Sequence, residues 1–208
     1  MLNQISNIVQ NGKFREIEQA INTALESGIS AKEILNNGLI AGMMVIGEKF
    51  KNNQVYVPEV LISARAMNRG VEAIKPLLIS EGVEPVGKAI ICTVKGDLHD
   101  IGKNLVKMML EGIGIECIDL GTDVSAEQVV EAVKATDVKI VALSSLLTTT
   151  MVYHKDIIDA LTAAGIREDV KVMIGGAPVN EKFAKQVGAD GYAPDAATAA
   201  DIALSFIK

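Results

Sequence analysis

The sequence predicts an N-terminal four-helix bundle followed by an α/β flavodoxin-like (Rossmann-like) domain built on a five-stranded parallel sheet. Three observations predict it. From Gln4 to about Glu81, apolar residues recur at spacings of three and four, the period of amphipathic helices. Beyond that point, short apolar runs alternate with helical patterns of about 10 to 15 residues, which is the pattern of βαβ units. Between the two lies Gly82-Val83-Glu84-Pro85-Val86-Gly87, whose composition is that of a linker. The expected boundaries are a helical segment over 1–83, a linker over 84–88 and the α/β segment over 89–208.

In the first half, Ile5, Ile8 and Val9 open the apolar series, Ile17, Ala20, Ile21 and Ala24 continue it, and Ile34, Leu35 and Leu39 follow. Gly12, Gly28-Ile29-Ser30 and Asn52-Asn53 interrupt it, giving helices near residues 2–10, 13–27, 30–50 and 58–80. Ser30 and Glu33 have the spacing of a capping box. Short connections favour antiparallel neighbours, hence a bundle. In the second half, strands are expected over 88–94, 115–120, 139–144, 170–174 and 190–192. A flavodoxin-like order, 2-1-3-4-5, places ligands beyond the carboxyl ends of the strands, at the switch point.

Composition narrows the function classes. Of 208 residues, 49% are hydrophobic, enough for a sizeable core. Lys and Arg number 20 against 26 Asp and Glu, a net charge of −6, which argues against a nucleic-acid surface. No basic segment followed by an apolar one opens the chain, and no apolar run nears the ~20 residues that span a bilayer. The expectation is a cytoplasmic protein with neither nucleic acid nor membrane as partner. Cys92 and Cys117 fall in apolar strand-like runs and read as buried thiols; with two histidines at these spacings they do not compose a zinc site.

The chemistry concentrates where the first strand gives way to a helix, in Gly96-Asp97-Leu98-His99-Asp100-Ile101-Gly102. An Asp two residues before a His can accept one ring N–H and leave the other nitrogen free to bind a metal. Gly102 removes a side chain where something bulky could enter. After 41 residues (103 to 143) comes Ser144-Ser145-Leu146, and after 28 more (147 to 174) Gly175-Gly176. His99, Ser144 and Gly175 stand at the ends of the first, third and fourth expected strands, which are neighbours in a 2-1-3-4-5 sheet. Paired glycines let backbone N–H groups approach a ligand closely. His154, in a helical stretch, reads as a satisfied histidine, and Met43, Met44 and Met67 read first as core residues.

This Asp-x-His-x-x-Gly, Ser-x-Leu, Gly-Gly series resembles the cobalamin-binding module of the corrinoid proteins of methyltransferase systems and of cobalamin-dependent methionine synthase. Gly42-Met43-Met44-Val45-Ile46-Gly47-Glu48-Lys49-Phe50 and Tyr56-Val57-Pro58-Glu59-Val60-Leu61 are similar to the helical cap preceding that module. The resemblance runs over essentially the whole chain. It implies His99 as the lower axial ligand of the corrin cobalt, in place of the cofactor's own benzimidazole, with Asp97 as its partner. Gly96, Leu98 and Asp100 share that loop and are implied with it as cofactor-binding residues. Gly102, Ser144, Leu146, Thr148, Gly175, Gly176 and Ala196 would contact the nucleotide tail, and Phe50 and Val57 the upper face. Thr150 stands where methionine synthase has a serine in the ligand network.

The role implied is that of a corrinoid methyl carrier, one component of a multi-protein cobalamin-dependent methyltransferase. Cob(I)alamin would accept a methyl group from a substrate methyltransferase acting on methoxylated aromatics, methylamines, betaines or methanol. Methylcobalamin would then serve a second methyltransferase, which acts on tetrahydrofolate or a thiol, and a reductive activation protein would keep the cobalt in the cycle. Two other readings share the histidine motif: the cobalamin-binding subunit of a mutase, with an adenosyl cofactor, and a non-catalytic cobalamin sensor or storage module.

Overall fold

Apolar spacing in the first half is met by helices that bury those positions. A computed structural model describes residues 1–207. Helix α1 (Leu2–Gln10) buries Ile5, Ile8 and Val9, and α2 (Ile17–Glu26) buries Ile17, Ile21 and Ala24. The second helix starts later than the expected residue 13. Gly12, at φ +62°, turns the chain, and the Phe14 ring lies 4.1 Å from the Arg65 guanidinium carbon, a cation–π contact made by a turn rather than a helical residue.

The expected helix over 30–50 is present with an unexpected interior. Ser30 caps it, its Oγ accepting from the Glu33 N–H at 3.2 Å while the Glu33 carboxylate accepts from the Ser30 N–H at 3.2 Å. A short α3 (Ala31–Glu33) then passes into a π-helical stretch (Ile34–Ile40) before α4 (Ala41–Lys51). Here α1 approaches closely: a Cβ at Gly38 would lie 2.9 Å from Ile5 Cγ2, and one at Gly42 2.8 Å from the Ser6 carbonyl oxygen. Helix α5 (Val57–Ser80) completes the bundle, burying Val60, Ala64, Met67 and Ile74. Met43 is buried as well, whereas Met44 is half exposed.

The second half forms the expected sheet. Strands β1 (Gly87–Val94), β2 (Ile115–Val124), β3 (Ile140–Ser144), β4 (Lys171–Gly175) and β5 (Gly191–Ala193) run parallel in the order β2-β1-β3-β4-β5. Helices α6 (Ile101–Gly112), α7 (Ala126–Ala135), α8 (Tyr153–Ala163), α9 (Glu181–Val187) and α10 (Ala196–Ile207) connect and flank them. Ile90, Val141, Val172 and Ile174 of the strands join Val129, Val133, Ile157 and Leu161 of the helices in a core. Strand β2 runs four residues past its expected end, because two irregularities of register carry it through Gly121 and Asp123, both at positive φ.

By contact, the chain divides into two compact units, Met1–Pro85 with Gly112–Gly114, and Val86–Glu111 with the rest from Ile115. Cys92 is fully buried, but Cys117 only partly, since one edge of β2 is unpaired. Burial pushes both thiols up to about 12, so neither is a reactive thiolate at neutral pH. Among the described residues, no helix is long and apolar enough to cross a membrane.

Candidate functional site

Register brings the sequence motifs to one level of the sheet. Thr93 pairs with Ser144, Ser144 with Gly175 and Gly175 with Ala193, so the loops after β1, β3, β4 and β5 leave the sheet side by side. Parallel strands on either side of the order reversal, β1 and β3, open a crevice between their loops.

Within that crevice Asp97 is fully buried. Its Oδ1 accepts the His99 ring Nδ1 at 2.7 Å and the His99 backbone N–H at 3.1 Å. Its Oδ2 accepts the backbone N–H groups of Leu146 at 2.7 Å and Leu147 at 3.2 Å, and the Thr150 hydroxyl at 2.7 Å. Burial opposes its ionisation, but the Leu146 N–H, the Thr150 hydroxyl and both His99 donors outweigh it and hold the carboxyl well below the usual carboxylate range. An ionised carboxylate only accepts, so the hydrogen sits on His99 Nδ1. The neutral ring's lone pair is therefore on Nε2. That ring is 52% exposed, and Thr93 Oγ1 steadies its backbone by donating to the His99 carbonyl at 2.9 Å. This is the arrangement by which a carboxylate orients an imidazole toward a metal.

The surroundings of the imidazole are apolar and exposed: Leu98 is 73% and Ile101 80% accessible, and Leu146 and Leu147 are also exposed. Bulky exposed aliphatic side chains on the loops that carry His99 and anchor Asp97 are suited to a broad, apolar ligand.

Next to the imidazole loop a cavity of about 340 Å³ is lined by Gly102, Ser144, Gly175, Gly176, Tyr192 and Asp195, among others. A Cβ at Gly102 would meet nothing within 4 Å, whereas one at Gly176 would fall 1.8 Å from the Ser145 carbonyl oxygen, at a φ of +114°. Gly102 thus keeps space open, and Gly176 lets two loops touch. Four of the residues expected along a tail (Gly102, Ser144, Gly175 and Gly176) line this cavity. Leu146 and Thr148 are exposed outside it, and Leu146 enters the site through its backbone N–H. Ala196 is buried at the start of α10, while its neighbour Asp195 faces the cavity. Asp100 bonds to the helix it precedes, accepting from Asn104 Nδ2 at 3.0 Å.

Several contributors were not foreseen. The amides of Leu146 and Leu147 leave no trace in residue type, and Thr93 reads only as a strand residue. Lys103, 3% exposed, lines the cavity and holds both carboxylate oxygens of Asp119 at 2.7 Å. His154 is satisfied at one nitrogen only: Nε2 lies 3.0 Å from Ser145 Oγ, while the buried Nδ1 has no hydrogen-bond partner among the described residues.

Residues 87–201 match a family described as a B12 binding domain, and residues 1–75 match a second family of the same description. The chain belongs to the B12-binding family. Over 213 aligned residues this B12-binding protein is 39% identical to monomethylamine corrinoid protein 1 of Methanosarcina acetivorans, covering 100% of this chain and 98% of that protein. A cobalamin-binding protein from Desulfitobacterium hafniense superposes with a TM-score of 0.84 at 31% identity, over 100% of this chain and 99% of the other. The methanol:cobalamin methyltransferase complex from Methanosarcina barkeri gives 0.86 at 32% identity, over 98% of this chain and 78% of the matched chain.

The residues present fit a B12 cofactor. An imidazole held at Nδ1 by a carboxylate, in a side chain 52% exposed, leaves Nε2 to suit a metal, the exposed aliphatic residues of the same loops suit the face of a macrocycle, and the cavity kept open at Gly102 suits a tail.

Proposed function

We propose that this B12-binding protein is the methyl-carrying subunit of a cobalamin-dependent methyltransferase system, with His99 as the lower axial ligand. One observation carries the reading: Asp97 Oδ1 holds His99 Nδ1 at 2.7 Å, which leaves Nε2 as the free ring nitrogen, three residues before the Gly102 that lines the cavity. When bound, the corrin cobalt supplies the methyl-accepting and methyl-donating chemistry that no side chain can.

The chain's own residues supply ligand control. Asp97 keeps the proton on Nδ1 and fixes the ring plane, while the Leu146 and Leu147 amides and Thr150 keep Asp97 charged and in place. Gly102, Ser144, Gly175 and Gly176 would hold the nucleotide tail, and the helical unit would act as the cap, as the resemblance implies for Phe50 and Val57.

A carrier needs partners that present and remove the methyl group. The reading assigns it a substrate methyltransferase, a second methyltransferase that delivers to tetrahydrofolate or a thiol, and a reductive activation protein, all in the cytoplasm. Relatives named for monomethylamine make methylamines the first donors to test.

The test is an electron paramagnetic resonance spectrum of the cobalt(II) protein, reconstituted with cobalamin and made with 15N-histidine. A nitrogen splitting that changes from triplet to doublet is the expected result; a persistent triplet would mean that the cofactor's own base stays bound and would overturn the ligand assignment. Methyl carriage is tested on the reduced holoprotein by uptake of one labelled methyl group per cobalt from methyl iodide. No uptake would overturn that role.

A further inference from the structure

We infer that Asp123, at the bulged end of β2, is a positioning residue for His99 that works by clamping the two-residue Gly96-Asp97 segment from both ends. The inference rests on the reading of His99 as the axial ligand.

The chain turns sharply out of β1. The Asp97 N–H reaches back to the Val94 carbonyl at 3.2 Å, with Gly96 at φ +76° inside the turn. That turn leaves the Gly96 N–H and the Asp97 carbonyl pointing outward, and Asp123 takes both. Its Oδ1 accepts the Gly96 N–H at 2.7 Å, and its own N–H donates to the Asp97 carbonyl at 3.0 Å. With the turn bond and the donors on the carboxylate, every polar atom of Asp97 is engaged, so the orienting carboxylate is fixed from its backbone as well as from its side chain.

The strand is distorted where this happens. Cys92 pairs with Gly121 and Val94 with Val124, so Thr122 and Asp123 together stand opposite Thr93. Such a bulge turns groups out of the ladder and re-aims them. Asp123 adopts φ +57°, and among the described residues only Asn53 shares a positive φ without being glycine. Asp reaches this left-handed region more readily than most residues. Its side chain is exposed, and among the described residues it has no salt-bridge partner. The contact that the strained backbone secures is the Gly96 N–H, three residues before the ligand. A ligand must be held within about 0.5 Å of its productive position, and His99 follows two residues after the clamped Asp97 carbonyl.

Three variants separate the hydrogen bond from the backbone conformation. Asp123→Asn keeps an acceptor and tolerates positive φ. Asp123→Gly keeps the conformation and removes the acceptor, and Asp123→Ala disturbs both. Two readouts are used: amide exchange at Gly96 in the cofactor-free protein, and the 15N-histidine splitting of the cobalt(II) holoprotein. The expected result is wild-type behaviour for Asp123→Asn. For Asp123→Gly, Gly96 exchange accelerates by at least about tenfold and a mixture of doublet and triplet marks partial loss of histidine ligation, with overall unfolding stability retained. Full histidine ligation and unchanged Gly96 protection in Asp123→Gly would overturn the inference. Absence of histidine ligation in the unaltered protein would overturn the axial-ligand reading and this inference with it.

Discussion

The Thr150 hydroxyl lies 2.7 Å from Asp97 Oδ2, joining two positions 53 residues apart in the sequence. The β-branch of threonine fits without displacing the bond that a serine would make; the Leu147 carbonyl, 3.0 Å from Thr150 Oγ1, is the alternative acceptor for the single hydroxyl hydrogen, and the charged carboxylate is the nearer one. A hydroxyl donating to a buried charge is worth about 1.5 to 3 kcal/mol. Thr150→Val should therefore lower the unfolding free energy in urea by that amount, while Thr150→Ser should cost about 1 kcal/mol or less. Equal losses would mean that the methyl group, not the hydroxyl, is what the site uses.

Gly102 and Gly176 line one cavity for opposite reasons, and substitution should separate them. A Cβ at Gly102 meets nothing within 4 Å. Gly102→Leu should leave the melting temperature of the cofactor-free protein within a degree or two and abolish cobalamin binding in a spectral titration. A Cβ at Gly176 collides with the Ser145 backbone at a φ that disfavours every other residue. Gly176→Ala should cost about 3 kcal/mol even without cofactor, in the upper range for single substitutions. Normal binding by Gly102→Leu would place the tail elsewhere.

Lys103 is held by Asp119 Oδ1 and Oδ2 at 2.7 Å each and by Asn104 Oδ1 at 2.8 Å. Burial works against the Asp119 charge, and the Lys103 bond overcomes it, holding the carboxyl below its usual range. Removing one partner of a buried pair typically costs about 3 to 5 kcal/mol, while replacing both costs far less. Lys103→Met should lose about 3 kcal/mol, since Lys107, 3.4 Å from Asp119, remains. The double variant Lys103→Met, Asp119→Asn should recover more than about 1 kcal/mol of it. Simple additivity in urea unfolding would show that the two residues are not coupled.

Much of this could be read from the chain because periodicity and turn chemistry are local. The strand positions, the loop positions of His99, Ser144 and Gly175, and the Ser30–Glu33 cap follow from patterns within short windows, and the strand order from the fold class that the alternation of strands and helices implies. The π-helical stretch does not: its residues keep the helical apolar spacing, and the different winding accompanies the close approach of α1 at Gly38 and Gly42. Gly121-Thr122-Asp123 lies beyond the expected strand end at residue 120, yet it belongs to β2 through two register shifts that only pairing with β1 reveals. Likewise Asp97 is anchored by the amides of Leu146 and Leu147, and any residue other than proline would supply those. Ala196 shows the converse limit, since matching a motif position did not bring it to the cavity wall.

His154 gives a prediction in pH. Burial lowers its pKa to about 4, only partly opposed by the charge of Asp97; the ordinary value is near 6.5. Between these values the unfolded chain binds a proton that the folded one refuses, so acid favours unfolding. The contribution of the neutral imidazole is complete above about pH 6.5 and disappears as pH falls toward 4. Asp97 has a depressed pKa, so its contribution is lost only below its unfolded value of about 3.9; the two windows barely overlap. From pH 7 to pH 5 the linkage amounts to about 2 kcal/mol. His154→Gln keeps a polar group beside Ser145 Oγ but does not titrate. Urea unfolding at the two pH values should therefore show the wild type losing about 2 kcal/mol more than His154→Gln does. Parallel losses would show that His154 accepts its proton in the folded protein, with the now unpartnered Nδ1 as the site that takes it.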